Sequence, residues 1–215
     1  MSAPTSPAAV VDLLGLVAYG ELLAFDRLAA DARLAPDLRR RAALSEMAGA
    51  EIGNYRRLAD WLTALGATPD DVMAPYVGPL RAYHDSTEPR DWLEAVTKAY
   101  VGDGITDDFL GEIADRLEEP YRGLVRDVLH ESRYAEFAAT EIRAAIEIDP
   151  RVANRLSMWA RRLVGEALSQ AGRVAAADRG ALTALIARDG TDVPALFRRL
   201  TANHTARMTA VGLNN

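Results

Sequence analysis

The chain contains no cysteine. That excludes disulfide frameworks, thiolate metal sites and cysteine nucleophiles. Lysine is almost absent too: Lys98 is the only one, and the other basic residues are arginines. A basic excess is missing, since the formal net charge is −6. This places a dedicated nucleic-acid binder at a disadvantage, although short basic clusters occur at Arg39-Arg40-Arg41, Arg56-Arg57, Arg161-Arg162 and Arg198-Arg199. The first ten residues carry no basic n-region and no signal-type cleavage pattern. Apolar runs are interrupted by charge or glycine before the roughly eighteen residues of a spanning helix. The expectation is a cytoplasmic protein with no membrane partner.

What is present is helical periodicity. With 215 residues, 49% of them hydrophobic, the chain can form one domain with a sizeable core. Helix one is expected over about 8–32, with Leu14, Val17, Glu21, Ala24, Phe25 and Leu28 on its apolar face. Helix two should start after Pro36 and run to about Leu65, with Gly66 as its cap. Pro69, Pro75 and Pro79 argue against a long helix over 66–88 and for a crossover connection containing at most one turn near Asp70–Met73. Helix three is expected from Thr87 as cap, with Pro89 just inside, to about Glu118. Helix four is expected from Pro120 to Ile148, helix five from Arg151 to Ala177, a short helix over 181–187, and a last one from Val193 to Val211. Of the histidines, His84 falls in the proline-rich connection. His204 is assigned to the polar side of the last helix. His130 points about 100° away from Glu131 if helix four is continuous.

Acids sit on the apolar stripes. Met47, Glu51, Asn54 and Tyr55 share helical spacing with Leu44, Leu58 and Leu62, so Glu51 points where core is expected. Glu131 and Tyr134 repeat the arrangement with Leu124, Val128, Ala138 and Ile142. Glu21 and Asp103 occupy the stripes of helices one and three. Glu21 and Glu51 are 30 residues apart, and Asp103 and Glu131 are 28 apart. That match favours Asp103 over Asp107 as the fourth acid. An all-α bundle of two helical hairpins joined by a long crossover, with acids projecting inward, is the ferritin-like arrangement. Carboxylate oxygens there suit hard or borderline metal ions, whereas uncompensated inward carboxylates would repel one another.

The chain resembles the ferritin-like proteins grouped as tRNA-(methylthio-isopentenyl-adenosine) hydroxylase-like. The resemblance rests on Ala18-Tyr19-Gly20-Glu21-Leu22, Ala50-Glu51-Ile52-Gly53-Asn54-Tyr55, Tyr76-Val77-Gly78-Pro79-Leu80, Tyr100-Val101-Gly102-Asp103-Gly104, Ala135-Glu136-Phe137-Ala138 and Gly165-Glu166-Ala167-Leu168-Ser169-Gln170. It implies a helical di-iron fold and oxygen-dependent hydroxylation, with Glu21, Glu51, Asp103 and Glu131 as metal ligands. Asn54 and Tyr134 stand where the family pattern has the histidines of its two Glu-x-x-His motifs. They are therefore expected as altered ligands, and Tyr134 also as a catalytic group.

Two functional readings follow. One is a non-haem iron oxygenase or hydroxylase, its cofactor iron, as a di-iron pair, or manganese. Its substrate would be a small molecule or a modified nucleoside, tRNA only by family analogy. The other is a metal-free, non-enzymatic helical bundle with a binding or structural role. A homodimer is expected in either case. The domain reading is a single unit over 1–215, with the bundle core at 8–148 and additional helices at 150–211.

Overall fold

The computed structural model describes residues 6–130, 132–177, 184–185 and 193–214. Among these the regular structure is helical, with no strand. The helices are α1 (Pro7–Asp31), α2 (Leu38–Ala64), α3 (Pro69–Ser86), α4 (Trp92–Ala114), α5 (Tyr121–Arg126), α6 (Ser132–Ile148), α7 (Arg151–Ala177) and α8 (Val193–Ala210). The helix expected over 181–187 lies outside the described residues except at Ala184 and Leu185. Two compact units emerge: residues 1–88 with 168–189, and residues 89–167 with 190–215.

In the first unit α1 packs on α2 and α3. Pro7 occupies the first turn of α1, where its missing N–H is harmless. Asp37 caps α2 by accepting from the Arg40 amide at 2.8 Å, and Gly66, at φ +79°, ends the turn beyond it. Leu13, Leu14 and Val17 of α1 meet a core that includes Leu44, Met47, Leu58 and Leu62 of α2, all buried. Helix α1 is long and apolar enough to cross a membrane by length and composition. This corrects the expectation from the interrupted runs, because a glycine breaks a run of side chains without making the helix polar. Half of its most apolar window is buried inside the protein.

Helix α3 corrects the expected proline-broken connection. It holds Pro75 and Pro79 in its interior. An interior proline costs about 3 kcal/mol or more, partly through the carbonyl four residues earlier that loses its N–H. The carbonyls freed here belong to Asp71 and Pro75, both exposed residues, so water can satisfy them. Packing on α1 offsets the remainder. Met73 and Tyr76 are buried, and Arg27 Nη2 donates to Asp85 Oδ1 at 2.8 Å. A Cβ on Gly15 would lie 2.9 Å from the Val72 carbonyl oxygen and collide with the Val72 side chain. The α1–α3 approach therefore requires glycine there.

In the second unit α4 packs on α5, α6 and α8. Helix α4 starts later than expected because Asp91 is its cap, accepting from the Glu94 amide at 2.9 Å, and Thr87 and Pro89 lie before it. It also ends earlier, at Ala114. Arg155 of α7 donates to Asp91 and Glu94 at 2.6 and 3.1 Å, and Trp159 Nε1 donates to the Glu94 carbonyl at 3.0 Å. Trp92 Nε1 donates to Glu141 Oε2 of α6 at 3.2 Å. Helix α8 is fastened to α4 by arginines. Arg199 forks onto Glu112 at 2.7 and 2.8 Å, and Arg207 Nη2 donates to the Gly104 carbonyl and to Asp108 at 3.0 and 2.6 Å. A Cβ on Gly104 would strike the Arg207 guanidinium, so this glycine permits the close packing of α8 on α4.

The single helix expected from Pro120 to Ile148 is interrupted. After α5 the backbone turns over 127–129, and His130 lies outside any helix. His204, expected on a polar face, is 1% exposed. It belongs to the stripe of Leu196, Leu200, Met208 and Val211, all buried.

Candidate metal-binding residues

The first unit contributes two acids that the fold hides almost completely. Glu21, on the buried face of α1, is 3% exposed, and Glu51, on the buried face of α2, is 2% exposed. Both follow from the helical spacing that also buries Val17 and Leu28, and Leu44, Met47 and Leu58. Asn54, one turn beyond Glu51, donates from Nδ2 to Glu21 Oε2 at 3.1 Å. A carboxylate only accepts hydrogen bonds, so it is the amide nitrogen that faces it. Asn54 thus steers Glu21 directly, and its own oxygen lies 3.5 Å from Arg57 Nη2.

The second unit brings together Asp103, Asp107 and His130. Asp107 Oδ1 accepts from the His130 backbone amide at 3.1 Å and lies 2.7 Å from His130 Nδ1. His130 Nε2 is 3.8 Å from Asp103 Oδ1. The His130 side chain is 10% exposed, against 20% for Asp103 and 32% for Asp107. The 100° rule that set His130 aside presumes an unbroken helix. The turn over 127–129 removes that premise and delivers the imidazole to the acids of α4. No glycine or proline marks the turn in the sequence, so periodicity alone could not find it.

Tyr134 lies on α6 and is buried, at 8% exposure. Its hydroxyl accepts from Arg133 Nη2 at 2.9 Å, and the same guanidinium stands 4.7 Å from the ring centroid. Glu131 lies outside the described residues. Among the described residues, no group of three or more histidine, aspartate or glutamate side chains is clustered so as to hold an ion. Donor chemistry nonetheless suits iron or manganese: two deeply buried carboxylates in one unit, and two carboxylates with one imidazole in the other. Such buried acids require a proton, a cationic partner or a metal.

Other polar residues are buried in the second unit. Glu94, Glu141 and Lys98 are 7%, 8% and 6% exposed. Their positions on α4 and α6 were not singled out from the sequence, where charge at the margin of a stripe reads as solvated. His84 lies in α3 with its ring edge-on to Tyr83 at 5.0 Å.

Residues 5–189 match the model of a ferritin-like domain of actinomycetes. Among solved structures, a Synechococcus protein described as having aldehyde deformylating oxidase activity superimposes with a TM-score of 0.74. The sequences are 16% identical, and the match covers 96% of this chain and 91% of that one. At that identity the likeness establishes the fold. No curated protein matches the sequence.

Proposed function

Because the chain belongs to the ferritin-like domain family of actinomycetes, we propose that it is a non-haem iron oxygenase or oxidase with a histidine-poor metal site. The observation that carries this reading is the burial of Glu21 and Glu51, at 3% and 2% exposure, on two packed helices. Burying carboxylates in a largely apolar core costs several kcal/mol each without compensation. A divalent ion provides compensation and a reason for the acids to be there.

The donors we propose are Glu21 and Glu51 in the first unit and, in the second, Asp103 with Glu131, the latter pair as the family resemblance implies. Asn54 holds Glu21 in orientation through its amide. Iron bound to these oxygens supplies the one-electron and dioxygen chemistry that side chains cannot. The protein's own contribution is orientation and exclusion of water. Tyr134, shielded from solvent and hydrogen-bonded to Arg133, is the residue we propose as the catalytic group. For the substrate, the fold shared with the Synechococcus protein makes an aldehyde one candidate. The tRNA hydroxylase-like resemblance makes a modified nucleoside the other. The net charge of −6 argues against a large RNA footprint, and an RNA role predicts binding that falls steeply with salt.

The test is dioxygen uptake by protein loaded anaerobically with Fe(II) and supplied with a two-electron reductant. Uptake well above that of Glu51→Gln supports the reading, and equal rates refute it. The second reading, a metal-free bundle, is favoured by the partners the acids already have: Asn54 on Glu21, and His130 on Asp107. It predicts that chelator leaves thermal stability unchanged.

A further inference from the structure

We propose that His130 is a metal ligand of this chain, supplying through Nε2 an imidazole that neither Glu-x-x position provides, with Asp107 as its orienting acid. The inference rests on the metal-binding reading above and adds to it a residue outside the family's motif. The argument begins with Asp107. Its Oδ1 lies 2.7 Å from His130 Nδ1 and also accepts the His130 backbone amide at 3.1 Å. A carboxylate accepts only, so Nδ1 carries the proton of that contact. In the neutral imidazole the acceptor nitrogen is then Nε2. That pattern, one ring nitrogen donating to a carboxylate while the other is the ligand, is how metal-bound histidines are held.

Nε2 lies on the side of Asp103, 3.8 Å from its Oδ1. The separation is too long for a direct hydrogen bond. It is short enough for one ion to touch both atoms, since such metal–ligand bonds are each ~2.1 Å. Asp107 bonds the opposite edge of the ring, so only two of the three side chains can face one ion. Among the described residues no third such side chain joins His130 and Asp103 in a group able to hold an ion. The interruption of the helix before α6 is what makes the arrangement possible. It frees His130 from helical register and lets Asp107 take both its amide and its ring.

The competing state is a doubly protonated His130 forming ion pairs with Asp103 and Asp107. Mn(II) titration with electron spin-echo detection of ligand nitrogen separates the two, independently of any activity. The expected result is Mn(II) binding by the parent protein with imidazole-nitrogen modulation. His130→Gln should abolish the modulation and weaken binding at least tenfold. Asp107→Asn should weaken binding ~10–100-fold while keeping the modulation. Mn(II) bound without nitrogen modulation, or modulation that survives in His130→Gln, overturns the inference and leaves the metal-binding reading standing. A parent protein that binds no Mn(II) overturns both. Should His130→Gln fail to fold, Asp107→Asn carries the test, and unchanged affinity there overturns the proposal.

Discussion

Lowering the pH from 7 to 4.5 should cost this protein about 2.5 kcal/mol of stability through one side chain, His204. The residue is 1% exposed, and among the described residues neither ring nitrogen makes a hydrogen bond. Burial, seconded by the positive charge of Arg207 and opposed by Asp108, holds its pKa down at about 4 against an ordinary 6.5. Between those values the unfolded chain binds a proton that the folded chain refuses. The depressed value therefore destabilises the fold as acidity rises. The effect is nil well above pH 6.5, grows as pH falls, and reaches roughly 3 kcal/mol below pH 4, at 1.36 kcal/mol per pH unit. Urea unfolding followed by circular dichroism at pH 7 and 4.5 gives the size for the parent and for His204→Leu. Leucine extends the stripe of Leu200 and Met208 and removes the titrating ring. His204→Leu should be at least as stable as the parent at pH 7, because two unsatisfied nitrogens leave the core. It should also lose about 2.5 kcal/mol less on acidification. Equal losses in the two proteins would refute the reasoning. Glu112 also titrates with a depressed pKa, chiefly through its Arg199 partner. Its contribution is lost at lower pH in both proteins and cancels in the difference.

Three further outcomes test the packing. Gly15→Ala should destabilise the protein by ~1–3 kcal/mol, because its methyl meets the Val72 carbonyl as well as a side chain; an unchanged melting temperature would show that α1 and α3 do not approach so closely. Gly104→Ala should displace Arg207 from Gly104 and Asp108, costing ~1–3 kcal/mol, and should cost much less in an Arg207→Ala background; additive effects in the double-mutant cycle would contradict the contact. Pro75→Ala should stabilise by ~1–3 kcal/mol by restoring an N–H to the Asp71 carbonyl, as read from the urea midpoint; a loss would mean that position is not interior helix.

Helix boundaries were most legible where a cap or a charge-free stripe marks them. Helices α1, α2, α7 and α8 begin and end within about two residues of the expected positions, because proline, aspartate and glycine carry their meaning locally. Burial of Glu21 and Glu51 was legible for the same reason, since 3.6-residue periodicity fixes which face a residue occupies. Helix α3 was not. The prolines state a local cost, and the Gly15–Val72 approach and the Arg27–Asp85 pair that offset it join residues 57 and 58 positions apart. The turn before His130 left no mark at all, and with it went the Asp103–His130–Asp107 group. His204 is a different kind of miss. Its spacing of four from Leu200 and from Met208 was visible, and the polarity of histidine outweighed it wrongly.

The central claim is that the hidden acids exist to hold an ion. Metal content by mass spectrometry, after reconstitution with Fe(II) or Mn(II) and removal of excess, tests it most directly in the parent and in a Glu21→Gln/Glu51→Gln double variant. The account predicts at least about one ion per parent chain, about one ion fewer in the double variant, and a parent melting temperature that falls when chelator strips the metal. A metal-free parent, with a melting temperature indifferent to chelator and raised by the double substitution, would contradict it.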